Sequence, residues 1–300
     1  MTLALALILD ALLGEPRWLW SHAPHPAVLM GRVVATLDRN LNTGPFRRLK
    51  GILALSLLIL LALLTAALIA AIPLGPLPEL LTAAILLAQR SLVDHVCAVA
   101  DALRLSTAEG RRSVAMIVSR DTTAMDKTAV ARSAIESASE NLSDGVIAPA
   151  FWFAVAGLPG LLIYKFTNTA DSMIGYRTPR HERFGWAAAR FDDLLNLIPA
   201  RLTALLIAVT TGQLRQMPAI RADAALHKSP NAGWPESAMA RALDIALAGP
   251  RSYDGRLQHF PFVHPTGRRT LMADDIDAAI SVLWRAWALG LGLVILAALV

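Results

Sequence analysis

Residues 52 to 72, ILALSLLILLALLTAALIAAI, carry no charged side chain over a length that spans a bilayer. A run of that kind restricts the chain to folds whose helices face lipid, and a buried helix of a soluble protein is the weaker reading. A second run, residues 279 to 300, contains only Arg285, close enough to its start to snorkel toward the interface. Composition agrees: 17% of residues are charged, against roughly 25% in a soluble domain, and mean hydropathy is +0.49. The expected class is all-α, a polytopic integral membrane helical bundle with broken or re-entrant helices and cytoplasmic helical loops.

The remaining apolar segments extend this picture over one integral membrane domain, residues 1 to 300. Spans are expected near 52–72, 79–100, 146–164, 197–212 and 279–300, with polar cytoplasmic segments at 14–50, 104–145, 165–196 and 213–278. Trp18 and Trp20 suit a membrane interface, and Arg17, Arg32, Arg39, Arg47, Arg48 and Lys50 put the first polar segment on the cytoplasmic side. The turn PLGPLPE after the first span contains no Lys or Arg, as a loop on the far side should. Gly157, Pro159 and Gly160 interrupt the 146–164 run, which is therefore expected to be broken and to line a protein-buried or watery cavity. The N-terminus has no basic region, and Asp10 breaks its apolar run, so a cleavable signal is not expected. The protein should lie in the cytoplasmic (inner) membrane, multi-pass, with its active site facing the cytoplasm.

Between the spans, Thr123 and Asp126 resemble the start of a helix that carries an apolar stripe at Ala131, Ile135, Ala138 and Leu142; Gly145 and Pro149 should stop it. The net charge of +5 comes with arginines dispersed through loops, which argues for phosphate-bearing ligands and against nucleic acid. The single cysteine, Cys97, excludes an internal disulfide and a cysteine-based zinc cage.

Polar chemistry concentrates between residues 136 and 201. Glu136 and Glu140 sit four apart on one helical face with Asp144 beyond them, a pattern for holding Mg²⁺ or, equally, a solvated acidic face paired with Arg132. Lys165, Asn168, Thr169, Asp171 and Ser172 combine ammonium, amide, hydroxyl and carboxylate groups that can hold a metal-bound phosphate; the alternative is a helix cap. Of the adjacent Asp192 and Asp193, one should face a site, with Asn196 on the Asp192 face, while Asp193 pairs with Arg190 at the surface. His22 and His25 lack a third ligand for zinc and suit phosphate or carboxylate binding, or plain loop structure. Ser119, Arg120 and Asp121 form one anion-binding candidate; Lys228, Ser229, Asn231 and Gly233, ahead of a helix start near Pro235, form another. No P-loop, G-x-G-x-x-G, G-x-S-x-G or H-E-x-x-H pattern is present.

These blocks together resemble the membrane-bound adenosylcobinamide-phosphate synthase family of cobalamin biosynthesis. The likeness runs through DALLGEP and HPAVLMG, SRDT at 119–122, ESASENLSDGVIAPAFW at 136–152, GLPGLLIYKFTNTADSMIGY at 157–176, FDDLLNLIPARLTA at 191–204, SPNAGWPESAMA at 229–240, then Tyr253 and Gly255. Glu15, where Asp is usual, and Ala170, where Leu is usual, depart from the pattern. The resemblance implies amide-bond formation between adenosylcobyric acid and aminopropanol phosphate or a related amino-alcohol phosphate, with ATP as co-substrate and Mg²⁺ as cofactor. For that chemistry, catalytic roles are expected of Glu136, Glu140, Asp171 and Asp192, and Mg²⁺ ligation of Glu136, Glu140, Asp144 and Asp171. Substrate or phosphate binding falls to His25, Arg120, Lys165, Asn168, Ser172, Tyr176, Arg190, Arg201, Ser229 and Asn231. Implied partners are the corrinoid, the amino-alcohol phosphate, the lipid bilayer and other membrane enzymes of the same pathway. Two alternatives stay open: a non-catalytic regulatory membrane protein related to the synthases, and a membrane prenyl-type transferase.

Overall fold

A computed structural model describes residues 1–253, 256–258 and 260–299. Gly255 of the blocks above and Val300 of the last run lie outside the described residues. The fold is all-α and polytopic. Its helices are α1 (Thr2–Leu13), α2 (Arg17–Trp20), α3 (Pro26–Leu41), α4 (Arg47–Ala70), α5 (Leu77–Leu86), α6 (Gln89–Leu105) and α7 (Thr107–Val114). After α8 (Lys127–Asn141) a π-helical turn, Leu142–Ile147, leads into α9 (Ala148–Ile174), α10 (Trp186–Leu195), α11 (Leu197–Thr210), α12 (Met217–Ala224) and α13 (Gly233–Leu243). Strands β1 (Leu247–Ala248), β2 (Arg251–Tyr253), β3 (Arg256–Gln258) and β4 (Phe262–Val263) form two short antiparallel pairs, β1 with β4 and β2 with β3, before α14 (Ala273–Leu299).

Four helical stretches among the described residues are long and apolar enough to cross a membrane: Arg47–Ala70, Leu77–Leu105, Lys127–Ile174 and Ala273–Leu299. The bent pair Trp186–Leu195 and Leu197–Thr210 meets the same test taken together. The chain folds as two compact units, Met1–Ala88 with Ala148–Leu197, and Gln89–Ile147 with Ile198–Val300.

In the first unit α4 shows how a lipid-facing helix is built. Gly51, Ala54, Leu58, Ala62 and Ala66 fall at helical spacing on its buried face, so α9 can pack closely there. The opposite face presents Leu53, Leu57, Leu60, Leu64 and Leu68, all exposed, which only lipid would accept without penalty. Helix α9 is broken where the sequence marks it: Ala156 and Gly157 leave helical geometry just before Pro159, and Gly157 has φ of +61°, a left-handed conformation that glycine adopts without steric cost. Beneath the polar loop after α9, Asp38 of α3 accepts hydrogen bonds from Asn42 (2.8 Å) and Arg180 (2.7 Å). Burial raises the Asp38 carboxyl, yet those bonds, another from His181 and the nearby His181 charge outweigh it and hold the group below its ordinary value.

The second unit is organised by α8, against which α6, α7, α13 and α14 pack. Asp126 is its N-cap, its side chain accepting the Ala129 N–H at 2.7 Å, and Ala131, Ile135, Ala138 and Leu142 are fully buried. Each large aliphatic so buried stabilises by roughly 1.5–3 kcal/mol. One expectation fails here: Gly145 and Pro149 do not stop the chain's helical course. Gly145 sits inside the π turn and Pro149 is the second residue of α9. A glycine weakens a helix without ending it, and Pro149 falls in the first turn of α9, where a missing N–H is tolerated.

Candidate functional site

In the first unit a polar cluster forms where α9 meets α10. Tyr164, Asn168 and Asp171 recur at three- and four-residue intervals on α9, while Asp192 and Asn196 lie four apart at the end of α10. Asn168 donates to Asp192 Oδ1 at 3.3 Å and Asn196 to Asp192 Oδ2 at 2.9 Å; Tyr164 donates its hydroxyl to Asn196 Oδ1 at 3.0 Å. Asp192 is 7% exposed, and no cation pairs with it among the described residues. The neighbouring Asp171 charge acts on it, concentrating negative potential in a buried place. Gly175 keeps Asp171 in position, since a Cβ there would meet Asp171 Oδ1 at 2.0 Å and its carbonyl oxygen at 2.6 Å.

The second unit holds a different arrangement. Glu136, 1% exposed on α8, accepts Arg120 Nη1 at Oε2 (2.8 Å) and the Ala248 N–H at Oε1 (2.6 Å). Arg120 also donates to Ser133 Oγ at 3.4 Å. Ala248 has φ of +57°, a conformation uncommon without glycine, and it is from there that its N–H reaches the carboxylate. The reading of Glu136 as part of a solvated acidic face is therefore overturned. In the same unit Arg201 donates to Asn231 Oδ1 (3.2 Å) and stacks over Trp234 at 4.8 Å. Ser229 Oγ accepts the N–H groups of Asn231 and Ala232. Those two donors are thus engaged by the chain itself.

The other sequence candidates are more dispersed. Glu140 is exposed and Asp144 half-buried within the π turn. Ser172 and Tyr176 are exposed, Lys165 is half-buried, and Arg190 pairs with Asp193 at 3.6 Å. His25 caps α3 through Nδ1, which accepts the Ala27 N–H, and its ring meets Trp20 edge-on at 4.6 Å. Burial lowers its pKa more than Glu15 raises it, favouring the neutral ring. Tyr164 and the Glu136–Ala248 bond escaped the sequence. A tyrosine four residues ahead of Asn168 was the available signal for the first; nothing local announces the second.

Among the described residues no group of three or more His, Cys, Asp or Glu side chains forms a metal cage. Mg²⁺ does not require one: it is held by one or two carboxylates when phosphate oxygens and water complete its shell, and Asp192 with Asp171 fits that description.

Comparison with known proteins then decides the lineage. Residues 3–283 match the family described as CobD/Cbib protein. The chain belongs to that family. It is similar to cobalamin biosynthesis protein CobD of Sinorhizobium fredii (strain NBRC 101917 / NGR234), 47% identical over 302 residues that cover 95% of this chain and 93% of the relative. The protein of the same name from Rhizobium meliloti (strain 1021) is 48% identical over 303 residues, with the same coverage. That from Rhodobacter capsulatus is 44% identical over 301 residues, covering 98% of this chain and 95% of the relative. No solved structure matches this CobD/Cbib chain.

Proposed function

We propose that this CobD/Cbib chain acts in cobalamin biosynthesis as a membrane-bound ligase. It joins adenosylcobyric acid in amide linkage to aminopropanol phosphate or a related amino-alcohol phosphate, giving adenosylcobinamide phosphate at the expense of ATP. The observation that carries the reading is a buried carboxylate, Asp192, fixed by two amides and paired with no cation among the described residues, in a chain matched to the family from residue 3 to 283.

A free carboxylate is a poor acyl donor. Phosphoryl transfer from ATP to the corrinoid carboxylate, releasing ADP, gives an acyl phosphate; the amine then attacks that carbonyl, loses a proton and expels inorganic phosphate. Bound Mg²⁺ would neutralise charge on the nucleotide phosphates. Asp192 and Asp171, both of the first unit, are its proposed ligands. Asn168 and Asn196 orient Asp192, and Tyr164 orients Asn196, so the carboxylate is in place before substrate arrives. Lys165 and Arg190, both of the first unit, are the proposed nucleotide-phosphate contacts. The chemistry is assigned to the cytoplasmic face of the inner membrane, where other membrane enzymes of the pathway are proposed partners.

The test is direct. Detergent-solubilised protein with adenosylcobyric acid, aminopropanol phosphate and Mg²⁺–ATP should yield a species with the mass of adenosylcobinamide phosphate. Folded protein that leaves all three substrates unchanged would exclude the ligase and favour a regulatory role.

A further inference from the structure

Beside Arg120 in the second unit lies a cavity of about 240 Å³, formed by the loop before α8, the first turns of α8 and the segment around Ala248. We infer that this cavity seats the amino-alcohol phosphate, with Arg120 receiving the phosphate, Asp121 and Asp126 receiving the ammonium, and Glu136 acting as the positioning residue for Arg120. The identity of the ligand rests on the reading above; the site and its division of labour come from the cavity itself.

Size is the first argument. Pockets for larger ligands run from roughly 300 to 1,000 Å³, so this one suits a small phosphate ester and is too small to enclose a corrinoid or a nucleotide. Charge is the second. Arg120, its side chain only 13% exposed, spends Nη1 on Glu136 and Ser133, and no described residue accepts from its Nε or Nη2. Arg132 adds a second cation to the lining, held in place by the carbonyls of Ala246 (3.2 Å) and Arg269 (2.7 Å). Opposite to these in sign, Asp121 uses Oδ1 to accept the N–H and hydroxyl of Thr123, and Asp126 uses Oδ1 for its cap. No described residue donates to the Oδ2 of either. Two cations and two carboxylates around a small space complement a zwitterion and oppose a polyanion such as ATP.

Glu136 belongs to the brace of this site. Both its oxygens are occupied, one by a backbone N–H and one by Arg120, so it fixes where the guanidinium lies.

Isothermal titration of the full-length protein in detergent separates these roles with three probes: 1-amino-2-propanol O-phosphate, isopropyl phosphate, which lacks the amine, and inorganic phosphate. The wild type should bind the amino ester most tightly. Arg120→Gln should weaken both esters by about tenfold or more. Asp121→Asn with Asp126→Asn keeps the turn and the cap, because Asn serves both; this double variant should lose the preference for the amino ester while binding isopropyl phosphate at least as well. Glu136→Gln should raise KM for the amino ester with kcat retained, and binding of Mg²⁺–ATP should be unchanged in all variants. Wild-type affinity for the amino ester in Arg120→Gln, or full amine preference in the double variant, overturns the assignment. Should these binding shifts appear in a protein that forms no amide product, the cavity stands and the ligase reading falls. Product formation with an unchanged KM in Arg120→Gln keeps the ligase and removes this cavity from its substrate path.

Discussion

The polar centres of the two units treat a buried carboxylate in opposite ways. In the first unit Asp192 is held by the neutral amides of Asn168 and Asn196, which fix its direction without cancelling its charge. In the second, Glu136 is matched to Arg120 and to a backbone N–H, and its charge is compensated inside the fold. A carboxylate oriented but uncompensated is suited to holding a cation. One compensated by arginine is structural, and what it leaves available is the arginine's remaining donors. The difference assigns cation chemistry to the first unit and anion chemistry to the second.

The largest expected effects set these two residues against each other. Glu136→Ala strands a buried guanidinium, and removing one member of a buried pair costs about 3–5 kcal/mol. Denaturant unfolding should shift accordingly, and the protein that stays folded should show a raised KM for the amino ester with kcat little changed. Asp192→Asn keeps shape and hydrogen-bonding capacity but removes the charge. Turnover should drop by about a hundred- to a thousandfold, by analogy with loss of one fixed electrostatic group in an active site, with the unfolding midpoint nearly unchanged. If Asp192→Asn unfolds the protein while Glu136→Ala only slows it, the contrast between the units is wrong. A smaller effect follows from Gly175. Gly175→Ala must push Asp171 aside, and product formation should fall by roughly tenfold, with a raised requirement for Mg²⁺ as the signature of displacement at the cation site.

Much of this contrast is legible in the sequence on one side and not on the other. Spacing along a helix carries over to the fold: the α8 stripe is buried as its period requires, Asp126 caps α8, Asp192 and Asn196 share a face, and Arg190 meets Asp193. All of these are interactions within about one helical turn, where side-chain direction follows from residue number. Glu136 shows the limit. Its spacing from Glu140 suggested a shared acidic face, whereas one is buried and the other exposed, because the partners of Glu136 arrive from a preceding loop and from Ala248, more than a hundred residues on. The same holds for Asp38, whose partner Arg180 is far along the chain. Long-range pairing of charges leaves no period in a sequence, and the π turn leaves no more than a glycine and a proline that look like a stop.

Asp38 also shows whether compensation is a property of the site or of the unit. It lies in the first unit, as Asp192 does, yet it is paired like Glu136, with Arg180 at 2.7 Å and His181 at 3.4 Å. Its carboxyl is held below the ordinary value of 3.8 despite burial. A carboxyl whose folded value is depressed stabilises fully above its unfolded value and loses that contribution as pH falls through the folded one. Because Arg180 is 60% exposed, the contribution is small and screened by solvent. The expected outcome is local: hydrogen exchange of amides in residues 176 to 185, corrected for intrinsic rates, should accelerate as pH drops below about 4. Asp38→Asn should exchange faster already at pH 7 and show no acid step. A wild-type loop equally protected on both sides of that pH would mean that the clamp is not set by charge, and the distinction between compensated and uncompensated carboxylates would lose its reference point within the first unit.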